Sequence, residues 1–324
     1  MKSKTILTGV KPTGNPHLGN YFGAIRPALD LIGGASGQSY IFIADVHALN
    51  GIKDPRFLRD KTREIAAAWL ACGLDADRTV FYRQSDIPEV FELSSILMNF
   101  TPKGLMNRAH AYKAALDRDG NDDNVNMGLY TYPVLMAADI LVMDSDVVPV
   151  GLDQKQHIEI ARDIANSFNS AYGGAVLNLP EEFIRHSDSI VGLDGRKMSK
   201  SYGNTVELFA PPDETAKKVM RIPTDSLRPE DPKDDESALY GLMQLAGVEE
   251  NYRREFLAGG IGYGEAKRML AEALDSLLAP MRGKYAALMA DKKRLDSILA
   301  AGAARARETA AATLARVKAA LGLL

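Results

Sequence analysis

The chain lacks several features that would narrow its function by themselves. It has one cysteine, Cys72, in 324 residues. A framework of internal disulfides is therefore excluded, and so is a thiolate-rich zinc site. No uninterrupted apolar run approaches membrane-spanning length, and the opening MKSKTILTGV has too short an apolar part for a signal peptide. The expected compartment is accordingly reducing and aqueous, the cytoplasm. Strong charge is also missing. A formal net charge of -3 argues against wholesale coating of nucleic acid but leaves room for a local basic face. Repeats and low-complexity tracts are absent too, since the alanine-rich end reads simply as good helix former. What is present is ordinary globular composition, 46% hydrophobic and 25% charged. The length suits about two domains.

The first half alternates short β-rich runs with amphipathic helical stretches. Thr5 to Val10, Ser39 to Ala44, Thr79 to Tyr82 and Val147 to Val150 read as strands. Between them, Leu18, Tyr21, Phe22, Ile25, Leu29 and Ile32 form one helical stripe, and Leu58, Thr62, Ile65 and Trp69 another. Strand alternating with helix implies a parallel sheet covered on both faces, a Rossmann-like, doubly wound α/β fold. From Asn99 to Gly128 the pattern turns polar and suggests a mobile loop. The Pro-rich stretch from Thr224 to Asp235 suggests a linker or exposed excursion, and beyond it the chain is almost wholly helical. The expected division is a catalytic domain over 1–205 and an all-α domain over 206–324.

Two segments carry chemistry. Lys11-Pro12-Thr13-Gly14-Asn15-Pro16-His17-Leu18-Gly19-Asn20 lies at the turn from the first strand into the first helix. In doubly wound folds this turn abuts the ligand crevice, and a helix start offers free N–H groups to phosphate. Read alone, the segment is equally a tight turn with capping residues. The second segment is Lys197-Met198-Ser199-Lys200-Ser201, framed by glycines and hydroxyls as a cationic loop suited to polyphosphate. Two further features stand out. Asp139 lies in an otherwise apolar helix, where an unpaired carboxylate is costly, although it could sit on the helix surface. Asp153-Gln154-Lys155-Gln156 has capping-box spacing, with Asp153 at the N-cap. That arrangement places Gly151 to Asp153 at the carboxyl end of a strand.

PHLGN resembles the HIGH signature of class I aminoacyl-tRNA synthetases, and KMSKS matches their second signature letter for letter. The stretches from Tyr132 to Leu141 and from Val148 to His157 resemble the tryptophan-specific branch of that family, as does GYGEAK from Gly262 to Lys267. The resemblance spans nearly the whole chain. Three departures appear. Asn20 replaces the second histidine of the first signature, Leu152 stands where glutamate is frequent, and the segment 104–126 fits less well, with Arg108 and Lys113 retained.

The resemblance implies an enzyme that uses ATP with Mg²⁺ to activate L-tryptophan and then charges the terminal ribose of tRNA(Trp). It also implies a homodimer with no membrane association, and a dimer-forming insertion around 75–140. Lys11, Pro12, Thr13, Gly19, Asn20, Gly151, Leu152, Asp153, Ile190, Lys197, Met198, Ser199, Lys200 and Ser201 would line the ATP site. Lys197, Ser199, Lys200, His17 and Asn20 would act on the phosphates, with no protein metal ligands. Gly9, Tyr132, Met136, Val148 and Val150 would wall the indole, and Asp139 would accept its N–H. His47 would lie nearby, where a satisfied core histidine is the other reading, and Gln154 would face the amino acid's polar end. Tyrosyl-tRNA synthetase and a non-catalytic RNA-binding paralogue are the alternatives. In the tail, Lys292, Lys293, Arg294, Arg305, Arg307, Arg316 and Lys318 offer a basic face for tRNA, or merely a solvated one.

Overall fold

In the computed structural model, residues 3–119, 125–184 and 190–324 are described. Five parallel strands, β1 (Ile6–Val10), β2 (Ser39–Ile43), β3 (Val80–Arg83), β4 (Val147–Val150) and β5 (Glu181–Ile184), stand in the order β3-β2-β1-β4-β5. Helices cover both faces, so the doubly wound fold expected from the alternation is the observed one. Strand order reverses between β1 and β4, and the crevice at their carboxyl ends is where such sheets bind ligands.

The first helical stretch, 18–33, contains a wide π turn over Tyr21–Ile25. The turn precedes Pro27, which has no N–H to donate four residues back and whose ring would strike that carbonyl in a regular helix. Side-chain alternation then divides the core. Leu7, Phe42 and Tyr82 pack on one face with the helices Met127–Val142 and Lys155–Ala171. Ile41, Ile43 and Phe81 pack on the other with Leu18, Trp69, Leu270, Leu274 and Leu299.

From Pro212 onward the chain carries helices, interrupted by the irregular stretch 221–237 that contains the Pro-rich segment, and the last two helices are long, Tyr263–Ala290 and Lys292–Ala320. The final helix lies directly on β3. A Cβ at Gly302 would stand 1.8 Å from the Phe81 carbonyl oxygen, so only glycine permits that approach.

Three expectations need correction. The segment from Asn99 to Gly128 is not an irregular loop throughout, because it forms the helices Lys103–Met106 and His110–Asp119. Its polarity misled because Met106, Ala109 and Tyr112 make only a narrow buried stripe. The remainder of the acidic run, 120–124, lies outside the described residues. Asp153 does not cap the following helix, which begins at Lys155 after a short 3₁₀ turn, Leu152–Gln154. Gln156 is used elsewhere, accepting from the His110 N–H at 2.9 Å and donating to the Arg108 carbonyl at 3.1 Å.

The basic tail is only partly free. Arg307 pairs with Glu89, Arg316 with Asp144 and Lys318 with Glu92, while Arg305 donates to the Ala76 carbonyl. Lys292, Lys293 and Arg294 remain exposed.

Candidate active site

A cavity of about 470 Å³ opens at the reversal between β1 and β4. Gly9 creates part of it, since a Cβ there would lie 2.6 Å from the Phe42 ring. Phe42, Met136, Ile140, Val148 and Val150 make an apolar end, and Lys11, Tyr132, Gly151 and Gln154 a polar one. Of the residues expected around an indole, Gly9, His47, Tyr132, Met136, Val148, Val150 and Gln154 all line this one space.

Asp139 stands immediately behind the wall, 2% exposed. Its carboxylate accepts from the Gln84 amide at 2.9 Å on both oxygens and meets His47 Nε2 at 3.0 Å. Burial raises the Asp139 pKa, and the bonds from His47 and Gln84 act against that rise. The Gln84 oxygen accepts the His47 backbone N–H at 3.2 Å, so this fully buried glutamine fixes both partners. Asp139 is therefore a paired interior carboxylate and not a surface one. His47 is both cavity wall and a satisfied buried histidine.

At the polar end, the Tyr132 hydroxyl bonds to the buried His157. Burial pushes the Tyr132 hydroxyl up to about 12 and holds the His157 imidazole down at about 4. Asp153 binds the Gln154 amide at 2.8 Å, whereas Leu152 is 74% exposed and touches none of this.

The two signature segments meet although they are far apart in sequence. The N–H of Gly19 points at the Met198 sulfur, 3.2 Å away. Leu18 N–H donates to the Val206 carbonyl at 2.9 Å and Leu208 N–H to the Pro16 carbonyl at 3.1 Å, which stitches the chain after the lysine loop to the first turn. Gly14, at φ +124°, leaves room for Lys200, whose ammonium would lie 2.7 Å from a Cβ there.

His17 is buried, and its backbone N–H is capped by the Asn20 side chain at 3.1 Å. Burial, reinforced by Lys200, lowers the His17 pKa to about 4, so it stays neutral in the physiological range. Its Nδ1 has no protein partner. Thr13 is exposed beside this turn and Pro12 is buried beneath it.

The loop itself is organised by Asn204. The Asn204 side chain accepts from Ser199 N–H at 2.8 Å and donates to Asp194 at 2.6 Å and to the Lys197 carbonyl at 3.1 Å. Ser199 and Ser201 share a hydroxyl bond of 2.8 Å, and Lys197 is exposed. Ile190 accepts the Met198 N–H at 2.8 Å and faces Gly23 across the mouth. Gln84, His157 and Asn204 are site residues that the signatures alone did not single out. Gln84 directly follows a buried strand and Asn204 follows the lysine motif, which were the available signals.

Residues 2–295 match the model of the class I tRNA synthetases (W and Y). Within that class, a tryptophan–tRNA ligase from Xanthomonas axonopodis pv. citri is 50% identical, covering 98% of this chain and 76% of its own. Another from Neisseria meningitidis is 47% identical, covering 100% and 99%. A tryptophanyl-tRNA synthetase from Campylobacter jejuni, solved with ADP and tryptophan, superposes with a TM-score of 0.90 at 40% identity, covering 98% and 100%. The chain belongs to the tryptophan–tRNA ligase family.

Proposed function

We propose that the cavity activates L-tryptophan with ATP and that the enzyme then charges tRNA(Trp). The observation that carries this reading is a cavity with an apolar end backed by Asp139 and, at its polar end, Lys11 of the first signature segment, which is itself stitched to the lysine loop. An indole would enter among Phe42, Met136, Val148 and Val150, with its N–H directed toward the His47–Asp139 pair. The amino acid's polar end would then lie by Tyr132, Gln154 and Lys11.

One carboxylate oxygen of tryptophan attacks the α-phosphorus of ATP. The bond from that phosphorus to the bridging oxygen breaks, and pyrophosphate leaves with the electron pair. The carboxylate is already ionised near neutral pH, so no general base is required. The barrier lies in bringing anions together, and positioned cations lower it. Lys11, Lys197 and Lys200 supply that charge, and neutral His17 and Asn20 supply uncharged polar contacts. Mg²⁺ is proposed to arrive on ATP, because the groups around this end are cationic and suit phosphate oxygens better than a bare metal ion. The terminal ribose hydroxyl of tRNA then attacks the acyl carbon and releases AMP.

The all-α region 206–324 is proposed as the tRNA-binding domain, with Lys292, Lys293 and Arg294 as phosphate contacts. A homodimer formed through the region around 75–140 and a cytoplasmic location belong to the same proposal. Among the described residues no helix is long and apolar enough to cross a membrane.

Charging of tRNA(Trp) with labelled amino acids tests the reading. Tryptophan should be attached in an ATP-dependent manner and tyrosine should not. Equal charging with tyrosine, or none with tryptophan, would refute it. Replacing Lys293 and Arg294 with Gln should weaken tRNA binding and reduce its salt dependence. An unchanged salt slope would place the contacts elsewhere.

A further inference from the structure

Lys61 belongs to neither signature segment, yet its ammonium bonds to the first and acts on the second. It stands in the second turn of the helix Pro55–Ala71, with its side chain 17% exposed. Lys61 Nζ donates to Asn15 Oδ1 at 2.9 Å and to Glu64 Oε2 at 2.6 Å, and the Phe57 ring centroid lies 5.5 Å from it. An ammonium has three N–H groups, and these two bonds leave one for a ligand.

Gly14, the neighbour of Asn15 in sequence, makes room for the Lys200 ammonium. Two cations from distant parts of the chain are thus brought to consecutive residues of one turn. Burial lowers the Lys200 pKa and the Lys61 charge lowers it further, while Glu207 and Glu64 act in the opposite sense. Glu207 is engaged by Lys218 and Thr205, and Glu64 by Lys61, so both carboxylates have closer partners than Lys200.

A lysine paired with a glutamate three residues on is ordinary on a helix surface. That pairing does not account for the reach to Asn15, nor for the seat beside a second lysine. Like charges so placed repel until an anion bridges them, and phosphate oxygens suit such a pair. The order along the turn says which phosphates. Lys11, at the inner end of the first signature segment, lines the amino acid cavity, whereas Asn15, Lys61 and Lys200 do not. A triphosphate running outward from the cavity along this turn reaches Lys61 with its far end.

We infer that Lys61 is a further ATP-binding residue, which holds the terminal phosphates of ATP together with Lys200. The inference rests on the proposed function and adds a phosphate contact that lies outside both signatures. Asn15 is the positioning residue that keeps the ammonium at the turn, and Glu64 competes with the phosphates for it.

Calorimetry on the full-length chain, without tryptophan so that no adenylate forms, compares ATP with Mg²⁺ against AMP, which has no terminal phosphates. Lys61→Gln should weaken ATP binding about tenfold, the lower end of what one hydrogen bond to a charged group contributes. AMP binding should be unchanged. Glu64→Gln should act in the opposite direction and tighten ATP binding, because it frees Lys61 and removes a negative charge from the same place. A lysine that served only as half of a helix ion pair would instead give the same effect in both variants.

Unchanged ATP binding in Lys61→Gln would overturn the proposal, as would equal weakening of ATP and AMP. If Lys61→Gln does not fold, Glu64→Gln decides. Tighter binding of ATP with AMP unchanged supports the inference there, and unchanged or weaker ATP binding overturns it. A wild-type chain that binds no ATP removes the proposed function and this role with it.

Discussion

Asp139→Asn is the substitution that probes the amino acid site most sharply. The carboxylate is buried and meets three contacts: the Gln84 amide at 2.9 Å on each oxygen and His47 Nε2 at 3.0 Å. Asparagine preserves the volume but replaces one accepting oxygen with an NH₂ group. Either the Gln84 amide or His47 must then face another donor. A buried donor left unpaired costs about 1–3 kcal/mol. At roughly 1.4 kcal/mol per decade, that is about 5- to 150-fold. The effect should appear in the KM for tryptophan, because the displaced His47 forms the cavity wall. The KM for ATP should barely move, since the stitched phosphate segments bond with neither Asp139 nor Gln84. Initial rates of ATP–pyrophosphate exchange, with each substrate varied in turn, separate the two constants. An unchanged tryptophan KM would refute the reasoning. So would an equal rise in both constants, which would indicate general collapse of the fold around the sheet.

Lys200→Ala, and likewise Lys197→Ala, should depress the rate of adenylate formation far more than tryptophan binding, because charge on the leaving pyrophosphate grows toward the transition state; a normal single-turnover rate would contradict this. His17 and His157 are held near 4, well below the unfolded value of 6.5, so the unfolded chain takes up protons first as pH falls. Stability from these two groups is therefore complete above about pH 6.5 and lost toward pH 4, by at most about 1.4 kcal/mol per pH unit for each. Melting curves should show that slope and His157→Gln should flatten it. Gly302→Ala should lower stability by about 1–3 kcal/mol, because the added methyl falls on the Phe81 carbonyl; an unchanged Tm would show that the last helix lifts freely from β3.

The strands were legible where they are short, apolar and buried, as in β2, all of whose residues are buried. β5 was not legible, because Glu181–Ile184 is an edge strand whose residues alternate exposed and half-buried, with glutamates in two of its four places. The two signature segments could be picked out because glycines, hydroxyls and lysines in that order differ from an ordinary surface run, and the structure brings the two together. Gln84 could not, since a polar residue after a strand looks like any loop residue until Asp139 is seen against it. The capping-box spacing was correct on paper, but a 3₁₀ turn moved the helix start and Gln156 found backbone partners at Arg108 and His110. Periodicity identified the non-apolar side of the last helix. It carried no information that Glu89, Glu92 and Asp144 would cover part of that side.

The most direct test of the account is ATP–pyrophosphate exchange on the full-length chain with each of the twenty amino acids supplied singly, without tRNA. Tryptophan alone should support rapid exchange, and indole-3-propionate should inhibit it competitively. Exchange driven equally by tyrosine or phenylalanine, or no exchange with tryptophan, would contradict the central claim.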